Sequence, residues 1–302
     1  HCLHCYSDSD CAPKSHELTT GQAKTLIRQV ADYGCPVMLF SGGEPLVRED
    51  LFELLQFAHA SGLRTALSTN GTRITPDVAK RLHDTGLSYA GISLDGPEDI
   101  HEAFRGQKGC FGKTMQGFEN CMLAGLKTGL RCTLTRQNVG LVGQVFDIAE
   151  QNGIRRICFY HLVRCGRAAL EDLRPALPNQ VRQALDEIVS RTAESVFRKM
   201  SEEVLTVGNH ADGPYLLMKM QQHHHHMYDT ASQLLLRSGG NRTGQNVAAV
   251  SWDGSVHPDQ FWQDKNFGNV RARKFSEIWL DTSDELMAGL KNRLPLLKGK
   301  CA

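Results

Sequence analysis

Between residues 36 and 165, short apolar runs alternate with amphipathic stretches of helical period. That alternation constrains the fold more than any other property of the chain. The runs are Pro36-Val37-Met38-Leu39-Phe40, Thr65-Ala66-Leu67-Ser68, Tyr89-Ala90-Gly91-Ile92-Ser93-Leu94, Leu130-Arg131-Cys132-Thr133-Leu134 and Arg156-Ile157-Cys158-Phe159-Tyr160. After the first run, Leu51, Leu54, Leu55 and Ala58 recur at helical spacing, and similar patterns cover roughly 75–85, 111–125 and 140–151. Ser61-Gly62 and Thr85-Gly86 are stop signals for two of these helices. Strand–helix repetition implies a parallel sheet with right-handed crossovers. The count of units predicts an α/β barrel or partial barrel, whose functional loops follow the C-terminal ends of the strands.

The pattern changes after about residue 170. A long amphipathic helix is expected from Asn179 to about Lys199, and a helical stretch around Tyr215–Leu236. Gly239-Gly240-Asn241 precedes a hairpin, Val247–Trp252 to Ser255–His257, turning at Asp253-Gly254. The expected partition is a barrel over 1–200 and an extension over 201–302 packed against it. His223 to His226 reads as a solvated helical turn rather than a metal patch. A net charge of +1 gives no footprint for nucleic acid, and no apolar run approaches the roughly 18 residues of a membrane span. A cytoplasmic location is expected.

Chemistry-bearing residues gather where the runs end. Ser41-Gly42-Gly43-Glu44-Pro45 combines two glycines, which let backbone approach a ligand, with a carboxylate that accepts from an ammonium. Ser68-Thr69-Asn70-Gly71, Ser93-Leu94-Asp95-Gly96 and Thr135-Arg136-Gln137-Asn138 follow at later strand ends. Each alone is ordinary turn chemistry, but all of them fall at one end of one sheet. Cys2 and Cys5 form a C-x-x-C at the N-terminal end of the sequence. By itself that pair reads as half a zinc site.

With the strand-end motifs in order, Cys2-Leu3-His4-Cys5-Tyr6, Gly42-Gly43-Glu44-Pro45, Ser68-Thr69-Asn70-Gly71 and Ile92-Ser93-Leu94-Asp95-Gly96 resemble the radical S-adenosylmethionine (SAM) superfamily. The resemblance implies a partial (β/α)6 barrel whose first strand and first cluster cysteine would precede residue 1. It implies a [4Fe–4S] cluster held by Cys2 and Cys5, with His4 and Tyr6 flanking it. SAM would be bound by Gly42, Gly43 and Glu44 through its amine, and by Ser93 and Asp95 through its ribose or carboxylate. Arg136 would pair with an anionic group. A low-potential electron donor would reduce the cluster, and SAM cleavage would yield a 5′-deoxyadenosyl radical.

The last third narrows the resemblance. Val207-Gly208-Asn209-His210-Ala211-Asp212-Gly213, Val256-His257-Pro258-Asp259-Gln260-Phe261-Trp262 and Phe275-Ser276-Glu277-Ile278-Trp279 are similar to the tetrapyrrole-modifying subgroup, whose C-terminal extension is SPASM-like. This implies an auxiliary [4Fe–4S] cluster with Cys301 among its ligands. It also implies an iron tetrapyrrole substrate, didecarboxysiroheme, losing acetate or propionate side chains in haem d1 or siroheme-dependent haem synthesis. Arg164 and Arg167 would meet its carboxylates, against the alternative of solvated or ion-paired arginines. His257 would ligate the substrate iron or the auxiliary cluster, against the alternative of a structural histidine. Asp259 stands where peptide-modifying SPASM maturases carry a cysteine, which disfavours a peptide substrate. The alternatives are a SPASM-type peptide-modifying radical SAM maturase and, second, a non-catalytic metal-binding or redox-sensing α/β protein.

Overall fold

A computed structural model describes residues 2–10, 15–170 and 173–299. Helix α1 (Thr20–Asp32) leads into β1 (Val37–Phe40), α2 (Leu51–Ala60), β2 (Arg64–Thr69), α3 (Pro76–Asp84) and β3 (Tyr89–Ser93). Then come α4 (Glu98–Arg105), α5 (Cys110–Leu123), β4 (Thr128–Leu134), α6 (Val142–Gln151), β5 (Arg156–His161), α7 (Arg167–Leu170), α8 (Pro178–Phe197) and β6 (Glu203–Val207). The remaining elements are α9 (Asp212–Gln222), α10 (Tyr228–Ser238), β7 (Ala249–Val250), β8 (Val256–His257), α11 (Phe275–Leu280) and α12 (Glu285–Lys291).

Local chemistry starts the helices. Thr19 Oγ1 accepts the Gln22 N–H while the Gln22 side chain takes the Thr19 N–H, a reciprocal cap that begins α1. Thr75 caps α3 through the Val78 N–H, with Pro76 at its first position.

Strands β1 to β6 pair in parallel in sequence order, the topology expected of successive right-handed β-α units. Side chains alternate across the sheet. Leu67, Ile92, Leu130 and Phe159 face the helices, where they pack with Leu55, Phe118 and Phe146 in a fully buried core. Tyr89, Gly91, Ser93, Gly129, Arg131, Thr133, Cys158 and Tyr160 therefore fall on the opposite, inner face. At its two edges that face exposes Val37, Leu39, Leu205 and Val207.

Five of the six strands coincide with the apolar runs. The sixth, β6, is a departure from expectation. Its register with β5 continues the sheet past residue 200, so the expected partition does not fall at the edge of the sheet. The stretch expected to be helical over 215–236 is two helices, α9 and α10. They are separated at the histidine run, where His224 adopts a φ of 49°. Those histidines are exposed, as a solvated turn should be.

The hairpin forms as expected, with Ala249 opposite His257. Val256, Phe275, Ile278, Trp279 and Met287 pack with Ile27, Val30, Leu54 and Ala58 of α1 and α2. The C-terminal extension is thus seated on the outer layer of the barrel. Among the described residues no helix is long and apolar enough to cross a membrane.

Candidate active site

The N-terminal cysteine loop is fastened to the C-terminal rim of the sheet. The Leu3 N–H donates to Phe104 O at 2.9 Å, and the Leu3 side chain packs against Phe104, Ala168 and Leu173. Arg167 donates from Nη1 to Cys2 O at 2.8 Å and from Nη2 to Ser9 O at 2.6 Å, while its own N–H reaches Cys5 O at 2.9 Å. Arg167 was expected to meet a substrate carboxylate. Its donors are engaged with the loop instead, so it holds the cysteines in place.

Gly166, at φ +54°, lets the two segments touch. A Cβ there would lie 2.3 Å from Tyr6 O and 2.6 Å from Cys5 O. Gly166→Ala is therefore expected to unseat the loop. Iron bound per chain after anaerobic reconstitution should fall to about half, the auxiliary cluster being retained, while circular dichroism still reports the folded sheet. Wild-type iron content in this variant would refute the loop geometry.

The same loop reaches the Gly-Gly-Glu bend after β1. Tyr6 Oη lies 3.0 Å from Ser41 Oγ, and the Ser9 side chain sits over Gly43, where a Cβ would come within 2.1 Å of Ser9 Oγ. The Tyr6 ring also meets Phe261 edge to face, with centroids 5.4 Å apart, which brings the C-terminal extension to the same rim. Glu44 accepts from Thr69 Oγ1 (2.7 Å) and the Leu46 N–H (3.1 Å) at Oε1, and from the Asn70 N–H (2.8 Å) at Oε2. Its two oxygens offer about four acceptor sites, so one stays open for an incoming donor. Burial pushes its carboxyl above the usual range, against these hydrogen bonds and Arg73. The Ser68–Gly71 turn rests on α5. Thr114 Oγ1 donates to Asn70 O at 2.9 Å, and a Cβ on Gly117 would meet Gly71 O at 2.4 Å.

Asp95 is fully buried, which departs from the expected role facing SAM. Its carboxylate is closed in by protein groups. Arg105 Nε and Nη2 reach Oδ2 at 2.9 and 2.7 Å, and the Thr133 N–H donates to Oδ1 at 3.2 Å. Burial opposes the charge, but Arg105, His4 and His101 together hold this carboxyl below its ordinary range. The third Arg105 nitrogen, Nη1, points at Cys2 Sγ from 3.7 Å. His101 Nδ1 accepts the Asp95 N–H at 3.2 Å, and burial pushes both His4 and His101 down to about 4, so both are neutral near pH 7. Arg105 carries no signal in the sequence, because its partners Asp95 and Cys2 lie 10 and 103 residues away and meet it only in the fold.

The other expected residues divide. Ser93 is half-buried on the inner face, in register with Arg131. Arg164 and Arg136 are exposed on loops after β5 and β4, and the Arg136 N–H donates to Arg174 O at 3.1 Å. His257 is corrected: it is buried, Nδ1 donates to Lys265 O at 2.7 Å, and Nε2 lies 2.9 Å from Ser251 Oγ. With both ring nitrogens bonded, it organises the hairpin and has none left for iron. Asp259 likewise closes its own turn, accepting from Thr243 Oγ1 and from the Phe261 and Trp262 N–H groups. Cys301 lies outside the described residues.

These residues fit the implied cofactors in three respects. Both sulfurs of the C-x-x-C face donors, Cys2 from Arg105 and Cys5 from the Ser9 N–H at 3.4 Å, as cluster thiolates do. His4 Nδ1 is a buried polar atom with no hydrogen-bond partner among the described residues. Glu44 keeps an acceptor site free on the same rim. Among the described residues no group of three His, Cys, Asp or Glu side chains could hold a metal ion.

Comparison with known proteins agrees. The radical SAM superfamily matches residues 1–146, and the SPASM iron–sulfur cluster-binding domain matches residues 242–301. Fe-coproporphyrin III synthase of Methanosarcina barkeri is 47% identical over 100% of this chain and 76% of its own length. Pre-heme d1 synthase of Dinoroseobacter shibae is 35% identical over 99% of this chain and 74% of its own. The solved structure of native anSMEcpe with bound AdoMet shares the fold at a TM-score of 0.70 and 20% identity, covering 95% of this chain and 78% of that one. The cofactors are accordingly a [4Fe–4S] cluster, SAM and an auxiliary iron–sulfur cluster in the SPASM domain. The chain belongs to the radical SAM superfamily, in its tetrapyrrole-modifying subgroup of haem biosynthesis enzymes.

Proposed function

We propose that this enzyme removes the acetate side chains of didecarboxysiroheme, leaving methyl groups and giving Fe-coproporphyrin III. The observation that carries the reading is the 47% identity, along the whole chain, to an enzyme named for making that product. When bound, the cluster and SAM supply one-electron reduction and hydrogen abstraction from the substrate. The chain's own residues position those groups. Cys2 and Cys5 are the cluster ligands, seated by Arg167, Leu3 and Gly166. Glu44 takes the SAM ammonium at its open acceptor site, with Gly42 and Gly43 admitting the methionyl backbone. Ser93 meets the ribose or carboxylate, and Tyr6 and His4 close the sides. A low-potential electron donor and a cytoplasmic location complete the reading.

Anaerobic turnover of didecarboxysiroheme by the full-length reconstituted enzyme, followed by mass spectrometry, tests it. The expected result is loss of both acetate groups together with formation of 5′-deoxyadenosine. Loss of propionate carbons instead would move the enzyme to haem d1 synthesis. An unchanged substrate mass would overturn the reading.

A further inference from the structure

Besides Arg64, exposed at the start of β2, the inner face of the sheet carries Arg131 and Arg156, and these two are treated differently. Arg156, low on β5, pairs with Glu202 and faces Glu203 at 3.9 Å. Arg131, in the middle of β4, has no carboxylate within ion-pair distance among the described residues. Its guanidinium lies instead over the Tyr160 ring, 4.7 Å from the centroid.

The sequence clears space for this arrangement. Gly91 lies under the Arg131 side chain, where a Cβ would come within 2.5 Å of Arg131 Cδ. Gly129 makes room for Tyr89, where a Cβ would come within 2.1 Å of Tyr89 Oη. Two strand glycines, each costly to a β-strand, thus leave Arg131, Tyr160 and Tyr89 side by side beneath the cysteine rim.

Arg131 is half-buried and pairs with no carboxylate among the described residues, so its donors are available to an anionic ligand. Its planar fork, backed by an aromatic ring, suits a carboxylate. The apolar edges of the same face, Val37 and Leu39 on one side and Leu205 and Val207 on the other, suit a large, largely apolar macrocycle.

We propose that Arg131, supported by Tyr160, binds a side-chain carboxylate of the tetrapyrrole and so sets how the macrocycle lies beneath the SAM site. This inference rests on the tetrapyrrole reading above.

The test uses the full-length reconstituted enzyme with iron coproporphyrin III and its tetramethyl ester as probes, followed by spectrophotometric titration. Wild type should bind the free acid more tightly than the ester. Arg131→Gln should bind the free acid about tenfold more weakly and lose the preference. Arg131→Lys should keep part of it, which separates charge recognition from general damage to the sheet.

An Arg131→Gln protein that keeps the wild-type preference overturns the assignment. So does one whose loss falls on SAM affinity while porphyrin affinity is intact, because the guanidinium would then serve the SAM carboxylate. If wild type binds neither porphyrin, the tetrapyrrole reading itself fails, a distinct outcome from a wild type that binds both and a variant that does not differ.

Discussion

Arg105→Gln is expected to lower the midpoint potential of the N-terminal cluster, and Asp95→Asn to raise it. The signs follow from the order of the charges. Arg105 Nη1 faces Cys2 Sγ at 3.7 Å, and its other nitrogens are held by the buried Asp95 carboxylate at 2.7 and 2.9 Å. Reduction adds an electron to a centre bound through that sulfur. A nearby cation and an N–H donor favour the electron-rich form, so removing them makes reduction harder. The Asp95 carboxylate offsets part of the cation's field, so neutralising it leaves more positive charge at the thiolate. An interaction change of roughly 1.4 kcal/mol corresponds to about 59 mV for one electron, and shifts on the order of 60 mV are expected. Arg105→Lys should fall between wild type and Arg105→Gln, since it keeps the charge and loses the fork. Anaerobic redox titration followed by electron paramagnetic resonance reads all three. If the pair served only as scaffold, both substitutions would act alike. Shifts of the same sign, or no shift, would therefore refute the electrostatic role.

Arg105 also marks where sequence reasoning stops. Strands β1 to β5 were legible because each presents a short apolar run between helical periods, and a helix-facing core demands that pattern. Strand β6 was not, because Glu203-Val204-Leu205-Thr206-Val207 buries little: Val204 is its contribution to the core, and the alternate residues lie on an open face. The Gly42–Glu44, Thr69–Gly71 and Ser93–Gly96 segments were legible as a site because topology sends every strand end to one rim. Within them, side-chain direction was not. Asp95 and Glu44 are both strand-end carboxylates, yet one is enclosed by an arginine from the following helix and the other keeps a lone pair open. Arg167 and His257 show the same limit. A cation or an imidazole in the right loop suggests a ligand contact, but its partners are backbone carbonyls and a serine that only the fold brings within reach.

Glu44→Gln is expected to weaken SAM binding by tenfold or more and to remove its pH dependence. In the wild type, Oε1 accepts from Thr69 and Leu46 and Oε2 from Asn70, so the open site is an anionic oxygen suited to an ammonium. A glutamine keeps one oxygen. With that oxygen toward Thr69, its NH2 group faces the Asn70 N–H, donor against donor, and no charge remains for the ligand. The pH argument has two opposite signs. Burial raises the Glu44 carboxyl above its unfolded value, so the free protein takes up a proton at this site before the unfolded chain does. Its contribution to stability is therefore largest at acid pH and is lost as pH rises through the folded value. SAM binding runs the other way, because the ammonium needs the carboxylate, and affinity should rise over the same window as the proton leaves. Equilibrium binding of SAM and thermal melts across acid to neutral pH read the two trends separately. The glutamine variant should show neither from this site. If its SAM affinity still climbed with pH as in wild type, the titrating group would lie elsewhere and Glu44 would not be the ammonium's partner.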